Sequence, residues 1–394
     1  MQTTTSSQWI AERAKALGFD LCGVVRAEKF PELARSEEWL ARGFAGEMGY
    51  LADARRSDPQ SVMAGIRSVV VCGLNYNTDK PFSTQAPLEQ DGSDPRGWIS
   101  RYAWGRDYHE VLGEKLESLE AEMKARIPGT WQSRAYVDTG PIQERVLAKY
   151  AGLGWIGKNT LLLNQKLGSF FFLGVLLTTL DLEPTLAPSG APPADLCGTC
   201  RRCIEECPTQ ALLEPYVMDA RLCISYLTIE LRGSIPEELR APMGRHVFGC
   251  DICQDVCPWN RKAPVTQSVD WQPREFVQEG EQTAALAHRP ASDASLDPNS
   301  LFLPRLEWLA SLGEEEFRRL FRGSPIKRAK WRGLVRNACI ALGNSADSGD
   351  KTALERVGRL LSKLAESGEA SVAESAQWAL SRIQAVDGTR DHER

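Results

Sequence analysis

Cys197-Gly198-Thr199-Cys200-Arg201-Arg202-Cys203-Ile204-Glu205-Glu206-Cys207-Pro208 is the stretch that decides how the middle of this chain folds. Its C-x2-C-x2-C-x3-C-P spacing puts the first three thiolates on one short irregular loop, where they converge on a single iron–sulfur cubane. The fourth cannot reach the same corner comfortably and turns to a neighbouring cluster. A second run, Cys250, Cys253, Cys257 and Pro258, repeats the final spacing but carries Val247 where a first cysteine would stand. Cys223 is the only other cysteine of this region and takes the missing place. The swapped arrangement assigns Cys197, Cys200, Cys203 and Cys257 to one [4Fe–4S] cluster, and Cys207, Cys223, Cys250 and Cys253 to the other. Structural zinc favours two C-x2-C pairs set well apart, a pattern this run does not follow. His246, near the vacated position, reads as a satisfied histidine rather than an iron ligand.

Working outward, the eight clustered cysteines leave Cys22, Cys72 and Cys339 isolated among apolar neighbours, so these read as small core residues. Disulfides are not expected, because a cytoplasmic location keeps thiols reduced. That location follows from Met1 to Ile10, which is polar and lacks the cationic start and apolar run of an export signal. Phe170 to Leu177 is apolar but far shorter than the roughly 20 residues that cross a bilayer, and reads as a buried strand. No membrane association is expected. At 394 residues the chain exceeds one ordinary core. A composition 42% hydrophobic and 25% charged is that of a globular protein, and a net charge of -5 means that any nucleic-acid surface must be local.

The spacing predicts a helix from Trp9 to Leu17 ended by Gly18, strands over Asp20 to Val25 and Ser68 to Leu74, and a helix from Tyr108 to Met123. Residues 79–98 read as a loop positioned to cover a site. Tyr136 and Val137 lead into the turn Asp138-Thr139-Gly140-Pro141. Four prolines between Glu183 and Asp195 mark a connection near residue 190, and Val265 to Pro298 reads as an extended wrap. Amphipathic helices follow over Pro325 to Leu342, Thr352 to Ala365 and Ser371 to Ile383, resembling HEAT-type repeats. The resulting division is 1–185, 186–265, 266–320 as linker, and 321–394.

Clusters move single electrons, so residues ahead of them must supply a substrate site or further cofactor. Neither a dinucleotide nor a P-loop fingerprint is present. Asp107-Tyr108-His109 before Gly113 approaches the D-x-H-x-x-G corrinoid box, but is one residue too long and lies in a helix, so it reads as coincidence. Asp138 has two readings from the residues alone, a turn cap and an active-site acid. Between Arg322 and Arg336 stand Arg322, Lys327, Arg328, Lys330, Arg332 and Arg336 with Trp331 and no acidic residue, a single-sign cluster that points to phosphate contacts.

Val137-Asp138-Thr139-Gly140-Pro141, Ala151-Gly152-Leu153-Gly154-Trp155-Ile156-Gly157-Lys158-Asn159-Thr160, the two Cys-Pro runs and Ser324-Pro325-Ile326-Lys327-Arg328-Ala329-Lys330 together resemble the epoxyqueuosine reductase family, in order and over nearly the entire chain. The resemblance implies an α/β cobalamin-binding domain similar to reductive dehalogenases, an α+β ferredoxin-like domain with two [4Fe–4S] clusters, and all-α HEAT-like C-terminal helices. It implies base-off cobalamin between the first two, reduction of epoxyqueuosine to queuosine at the tRNA wobble position, a low-potential electron donor and a monomer. Another corrinoid reductase of the dehalogenase type is the alternative, although the twin-arginine export signal usual in that class is absent from the sequence. By the same resemblance Asp138 is the proton donor, and Arg56, Ser100, Asp138, Gly140, Gly157, Asn159, Thr160, Leu161, Leu162, Leu173, Ser225, Cys250 and Asp251 lie near the corrin. The tRNA surface is expected at Lys327, Arg328, Lys330, Arg332 and Arg336.

Overall fold

The structure, a computed structural model, describes residues 7–86, 94–186, 190–279, 282–286, 299–348 and 350–392. Expectations that fall on 1–6, 87–93, 187–189 and 287–298 lie outside the described residues. The N-terminal part is a sheet of β1 (Leu21–Arg26), β2 (Ser68–Asn75), β3 (Ser133–Tyr136) and β4 (Phe171–Thr178) in spatial order β1-β2-β4-β3. All eight residues of β2 are buried, as a central strand covered on both faces requires. Side chains alternate between those faces. Val70 and Cys72 pack with Ile10 and Ala14 of α1 (Ser7–Ala16) and with Leu112, Leu116 and Leu119 of α2 (Tyr108–Arg126). Val69 and Val71 pack with Leu147 and Ala148 of α3 (Glu144–Tyr150). Each such valine, leucine or isoleucine contributes about 1.5–3 kcal/mol of burial.

The helix-covered sheet agrees with the α/β expectation in its layers, and all three of its strand pairs are antiparallel. Apolar runs buried on both faces read alike in either sense, so the sequence pattern carried no such information. Gly23 is needed where β1 passes the end of α3, because a Cβ there would stand 2.4 Å from the Ala151 carbonyl oxygen.

In the cysteine-rich part, short helices Arg202–Glu205 and Ile252–Asp255 each lead into a Cys-Pro pair. The Cys257 N–H donates to the Gln254 carbonyl at 3.1 Å and the Cys207 N–H to that of Ile204 at 3.4 Å. Between them lie a hairpin of Leu212–Glu214 with Val217–Met218, and α4 (Ile224–Ile229) directly after Cys223. His246–Phe248 then pairs in parallel with Trp98–Ile99, stitching this part to the N-terminal layer.

The segment expected as an extended wrap is more ordered than that. Glu275–Glu279 pairs antiparallel with Gln282–Leu286 and Asn299–Ser300, with Phe276 fully buried. Charged and small residues outnumber the apolar anchors there, which hid the alternation. Helices Leu306–Ser311 and Glu314–Leu320 follow, then α5 (Lys330–Asn344), α6 (Lys351–Ala365) and α7 (Ala370–His392), in agreement with the sequence reading of the C-terminus. One core cluster joins Trp98, Trp104, Phe248 and Phe276 to Leu334, Ala338 and Leu342 of α5. The segments divided at 186, 266 and 321 therefore share a core. No helix among the described residues is long and apolar enough to cross a membrane.

Candidate active site

β3 ends at Tyr136, Val137 turns into the core, and Asp138 follows in the left-handed region at φ 58°. The Thr139 N–H donates to the Val137 carbonyl at 2.6 Å, closing a tight three-residue turn around Asp138. A non-glycine residue at the centre of such a turn is strained by about 1–3 kcal/mol, a cost that clusters at functional positions. Two contacts hold it: the Tyr108 hydroxyl donates to Asp138 Oδ2 at 2.8 Å, and the Asp138 N–H donates to Glu144 Oε1 at 2.8 Å. Tyr108 is fixed in turn by stacking on Phe172, with centroids 4.5 Å apart and planes at 3°. Burial, then the charge of Asp138, raise the Tyr108 phenol well above its ordinary pKa. Burial and the charge of Asp138 push the Glu144 carboxyl up to about 8.

Asp138, Tyr108 and Glu144 line one cleft of about 1880 Å³. Ordinary small-molecule pockets span roughly 300–1,000 Å³, so this one has room for a macrocycle and a nucleoside together. Leu161, Leu162, Phe172 and Leu173 form an apolar wall, and Cys223 and Ser225 approach from the cysteine-rich part. Arg56 stands at the cleft, donating to the Ile142 carbonyl at 3.2 Å. Arg56, Asp138, Leu161, Leu162, Leu173 and Ser225 are thus brought together as expected.

The other expected corrin neighbours are not on the cleft wall. Ser100 is 1% exposed and packed against Gly249, where a Cβ would lie 2.3 Å from its hydroxyl. Asp251 is 2% exposed, accepting from the Trp98 indole at 3.1 Å and the Arg101 N–H at 2.8 Å. Gly140 packs on Tyr136. Asn159 Nδ2 donates to the Cys253 carbonyl at 3.2 Å, and Lys158 Nζ to that of Cys200 at 2.9 Å. The Gly157-Lys158-Asn159-Thr160 turn therefore braces the cysteine loops, while the Thr160 carbonyl accepts from Arg145 at 2.6 Å. Cys250 faces other thiols.

Sequence reasoning missed Tyr50, Tyr108, Glu144 and Glu230 as cleft residues. Glu144 was discoverable in principle as the next acid after the Asp138 turn. Asp107 serves as the N-cap of α2, its carboxylate accepting from the His109 N–H at 3.2 Å. Burial works to raise that carboxyl, but the hydrogen bonds of His109 and Lys327 outweigh it and hold the group below its ordinary range. The coincidental reading of the corrinoid box fits this capping role.

The basic segment is less uniform than its sequence. Lys327 pairs with Asp107 at 2.7 Å, Arg328 with Glu230 at 2.9 Å and Arg332 with Glu369 at 3.8 Å. Lys330 is exposed on the cleft rim and has no ion-pair partner among the described residues. Arg336 corrects the expectation: it is 0% exposed, with its guanidinium donating to the carbonyls of Leu227 at 2.5 Å and Leu231 at 2.9 Å and to that of Gly233. Burial lowers its pKa to about 10. The arginine lies on the inward face of α5, a position that charge counting does not reveal.

The cysteine thiols fall into two neighbourhoods. Burial and the proximity of Cys257, Cys197 and Cys200 push Cys203 up to about 11. Cys253 is raised by burial and then by Cys223, Cys203 and Cys207, and Cys250 by burial and then by Cys253 and Cys223. Crowded thiols of this kind ionise readily only beside compensating metal charge. The Trp155 indole N–H is buried beside the Cys197 sulfur with no nitrogen or oxygen acceptor, a donor that a cluster thiolate would accept. The donor set fits iron–sulfur clusters. No group of three or more His, Cys, Asp or Glu among the described residues is gathered around a single-ion position. His246 is 8% exposed, bonded through Nδ1 to the Met243 carbonyl at 3.0 Å and lowered by burial to about 4.

A sheet domain opening on a large cleft beside a cysteine-rich part with crowded thiols defines an iron–sulfur oxidoreductase architecture. Comparison with known proteins is specific. Residues 56–139 match the family profile of epoxyqueuosine reductase QueG, and residues 196–260 that of a 4Fe-4S double cluster binding domain. The chain is 43% identical to the epoxyqueuosine reductase of Gloeobacter violaceus, covering 86% of this chain and 96% of that protein. It is 38% identical to that of Escherichia coli, covering 89% and 84%. A crystal structure of epoxyqueuosine reductase with an epoxyqueuosine-modified tRNA-Tyr stem loop superposes with TM-score 0.78 at 28% identity, covering 95% of this chain and 89% of that one. A Bacillus subtilis epoxyqueuosine reductase, solved with its catalytic aspartate loop swung out of the active site, gives 0.76 at 27% identity, covering 95% and 90%. The chain belongs to the epoxyqueuosine reductase family.

Proposed function

We propose that this protein reduces epoxyqueuosine to queuosine at the wobble position of tRNA, in the cytoplasm, using base-off cobalamin and two [4Fe–4S] clusters supplied by a low-potential donor. The observation that carries the reading is the single cleft in which the strained Asp138, the apolar wall of Leu161, Leu162 and Leu173, the cluster-side residue Cys223 and the basic rim meet. Cobalamin fits that volume and wall, and when bound it supplies the electron-rich centre that the clusters recharge one electron at a time. Cys197, Cys200, Cys203 and Cys257 hold one cluster, and Cys207, Cys223, Cys250 and Cys253 the other.

The protein's own part is proton delivery and orientation. Opening the epoxide leaves charge on oxygen, and Asp138 gives that oxygen a proton. Tyr108 fixes the carboxyl by its 2.8 Å hydrogen bond, so that the acid meets one position of the ring. The apolar wall keeps the reacting carbon away from water. Lys330, with Lys327 and Arg328, draws the anticodon phosphates to the rim.

The test is turnover. Anaerobically purified protein loaded with iron, sulfide and cobalamin, given a chemical reductant and a tRNA stem loop carrying epoxyqueuosine, should convert the nucleoside to one lighter by a single oxygen. Conversion without cobalamin, or none with fully loaded reduced protein, overturns the reading.

A further inference from the structure

Removal of the epoxide oxygen as water consumes two electrons and two protons. The first C–O bond breaks and the oxygen takes one proton; the second breaks and the hydroxyl leaves with another, as the alkene forms. The electrons come from the reduced cofactors. One carboxyl gives one proton, so an acid that serves both steps must be recharged within the cycle.

Glu144 is placed for this. It is the first residue of α3 and lines the same cleft as Asp138. Its Oε1 accepts the Asp138 N–H at 2.8 Å, which ties the Glu144 carboxyl to the backbone of the Asp138 turn. Among the described residues its second oxygen has no hydrogen-bond partner, which leaves it a site for the proton. The charged and titratable groups facing it are Asp138 from the turn, Arg145 from its own helix, Arg56 from the turn at Ala54–Ser57, and Tyr108 from α2. Arg145 is occupied with the Thr160 carbonyl at 2.6 Å and Arg56 with that of Ile142 at 3.2 Å, so neither forms a salt bridge with Glu144.

We propose that Glu144 is the recharging acid of the reaction, holding a proton in the turn and returning it to Asp138 after Asp138 has given up its own. The inference rests on the function proposed above. The O–H bond of Glu144 breaks as that of Asp138 re-forms, and Glu144 then recovers its proton from water. A carboxyl at about 8 is protonated at neutral pH, and its proton is drawn through Asp138 to the departing oxygen, a far stronger base than either carboxylate. The same residue positions Asp138, since its oxygen holds the strained turn by the backbone.

Glu144→Gln separates these roles, because the amide oxygen still accepts the Asp138 N–H while the transferable proton is gone. In the loaded enzyme, kcat should fall about 10²-fold, the usual size of a general-acid contribution, with KM for tRNA unchanged. Wild-type kcat should decline as pH rises through about 8, where Glu144 loses its proton, and that alkaline limb should vanish in Glu144→Gln and return, displaced, in Glu144→Asp. Infrared difference spectra of the holoenzyme give a readout independent of turnover: a protonated-carboxyl band that titrates near pH 8, absent from Glu144→Gln. An unchanged kcat with an unmoved limb, or a band that survives the substitution, overturns the proposal. Should Glu144→Gln fail to bind the corrin, Glu144→Asp decides, and a limb that does not move counts against Glu144. A wild-type protein that never turns over sinks the proposed function instead, while the band still reports on Glu144.

Discussion

Replacing Arg336 by alanine removes a buried guanidinium that donates to the carbonyls of Leu227, Leu231 and Gly233 and to Asn337 Oδ1 at 3.0 Å. Three carbonyl groups in α4 and the loop after it lose their donor. A charge-assisted hydrogen bond is worth about 1.5–3 kcal/mol, but the desolvation of the buried arginine offsets part of that sum. Leaving buried acceptors unsatisfied costs about 1–3 kcal/mol each, so with that offset the net loss comes to about 3–5 kcal/mol. With an unfolding entropy of about 2.1 cal/mol/K per residue, a 394-residue chain that unfolds as one unit has roughly 0.8 kcal/mol/K. The melting temperature should therefore drop by about 4–6 °C, and Arg336→Lys, which keeps one donor group, by roughly half as much. Calorimetry of the cluster-loaded protein measures this, with tRNA affinity followed against salt in parallel. An unaltered melting temperature combined with a flatter salt dependence would return Arg336 to the nucleic-acid surface and refute the structural reasoning.

Cys223→Ala should lose one cluster selectively, bringing bound iron from about eight to about four atoms per chain; full iron content would remove Cys223 from the ligand set. Asp138→Asn, whose amide oxygen still accepts the Tyr108 hydroxyl, should keep cobalamin and iron while lowering turnover at least 10²-fold, and near-normal turnover would move the acid role elsewhere. Lys330→Ala should reduce the logarithmic salt slope of tRNA binding by about 0.7–0.9, and Lys327→Ala by less, since Lys327 already faces Asp107 at 2.7 Å. Equal slopes for the two variants would mean that the ion pair opens on binding.

Elements with strong apolar periodicity were legible. The helix of Leu112, Leu116 and Leu119, the buried run of β2 and the three C-terminal helices were all readable from spacing, because burial imposes that spacing directly. The cluster-binding segment was legible for a related reason: cluster chemistry permits few loop lengths. Pairing sense and facing were not. Ser100 and Asp251 share a stretch of structure with the cleft but point into the packing around Trp98 and Gly249, and no local pattern encodes direction. Lys327 and Arg328 looked like unopposed charge because their partners, Asp107 and Glu230, are far away in sequence. The left-handed turn at Asp138 was equally hidden, since Asp before Thr-Gly serves many turns and only the contacts of Tyr108 and Glu144 select this one.

The core that runs from Trp98 and Trp104 through Phe248 to α5 has a consequence for how this molecule can be taken apart. Its C-terminal helices look like an accessory that engineering could trim, yet α5 packs on the strand of His246–Phe248, with Asn337 Nδ2 donating to the Val247 carbonyl at 2.8 Å. A chain cut before α5 would strip that cover from the buried strand of His246–Phe248, two residues from Cys250. Exposed apolar surface of that kind drives aggregation. The helices act as a keystone rather than an ornament. Shortened or domain-swapped versions of the protein are expected to fail at the cysteine loops before they fail at the tRNA rim.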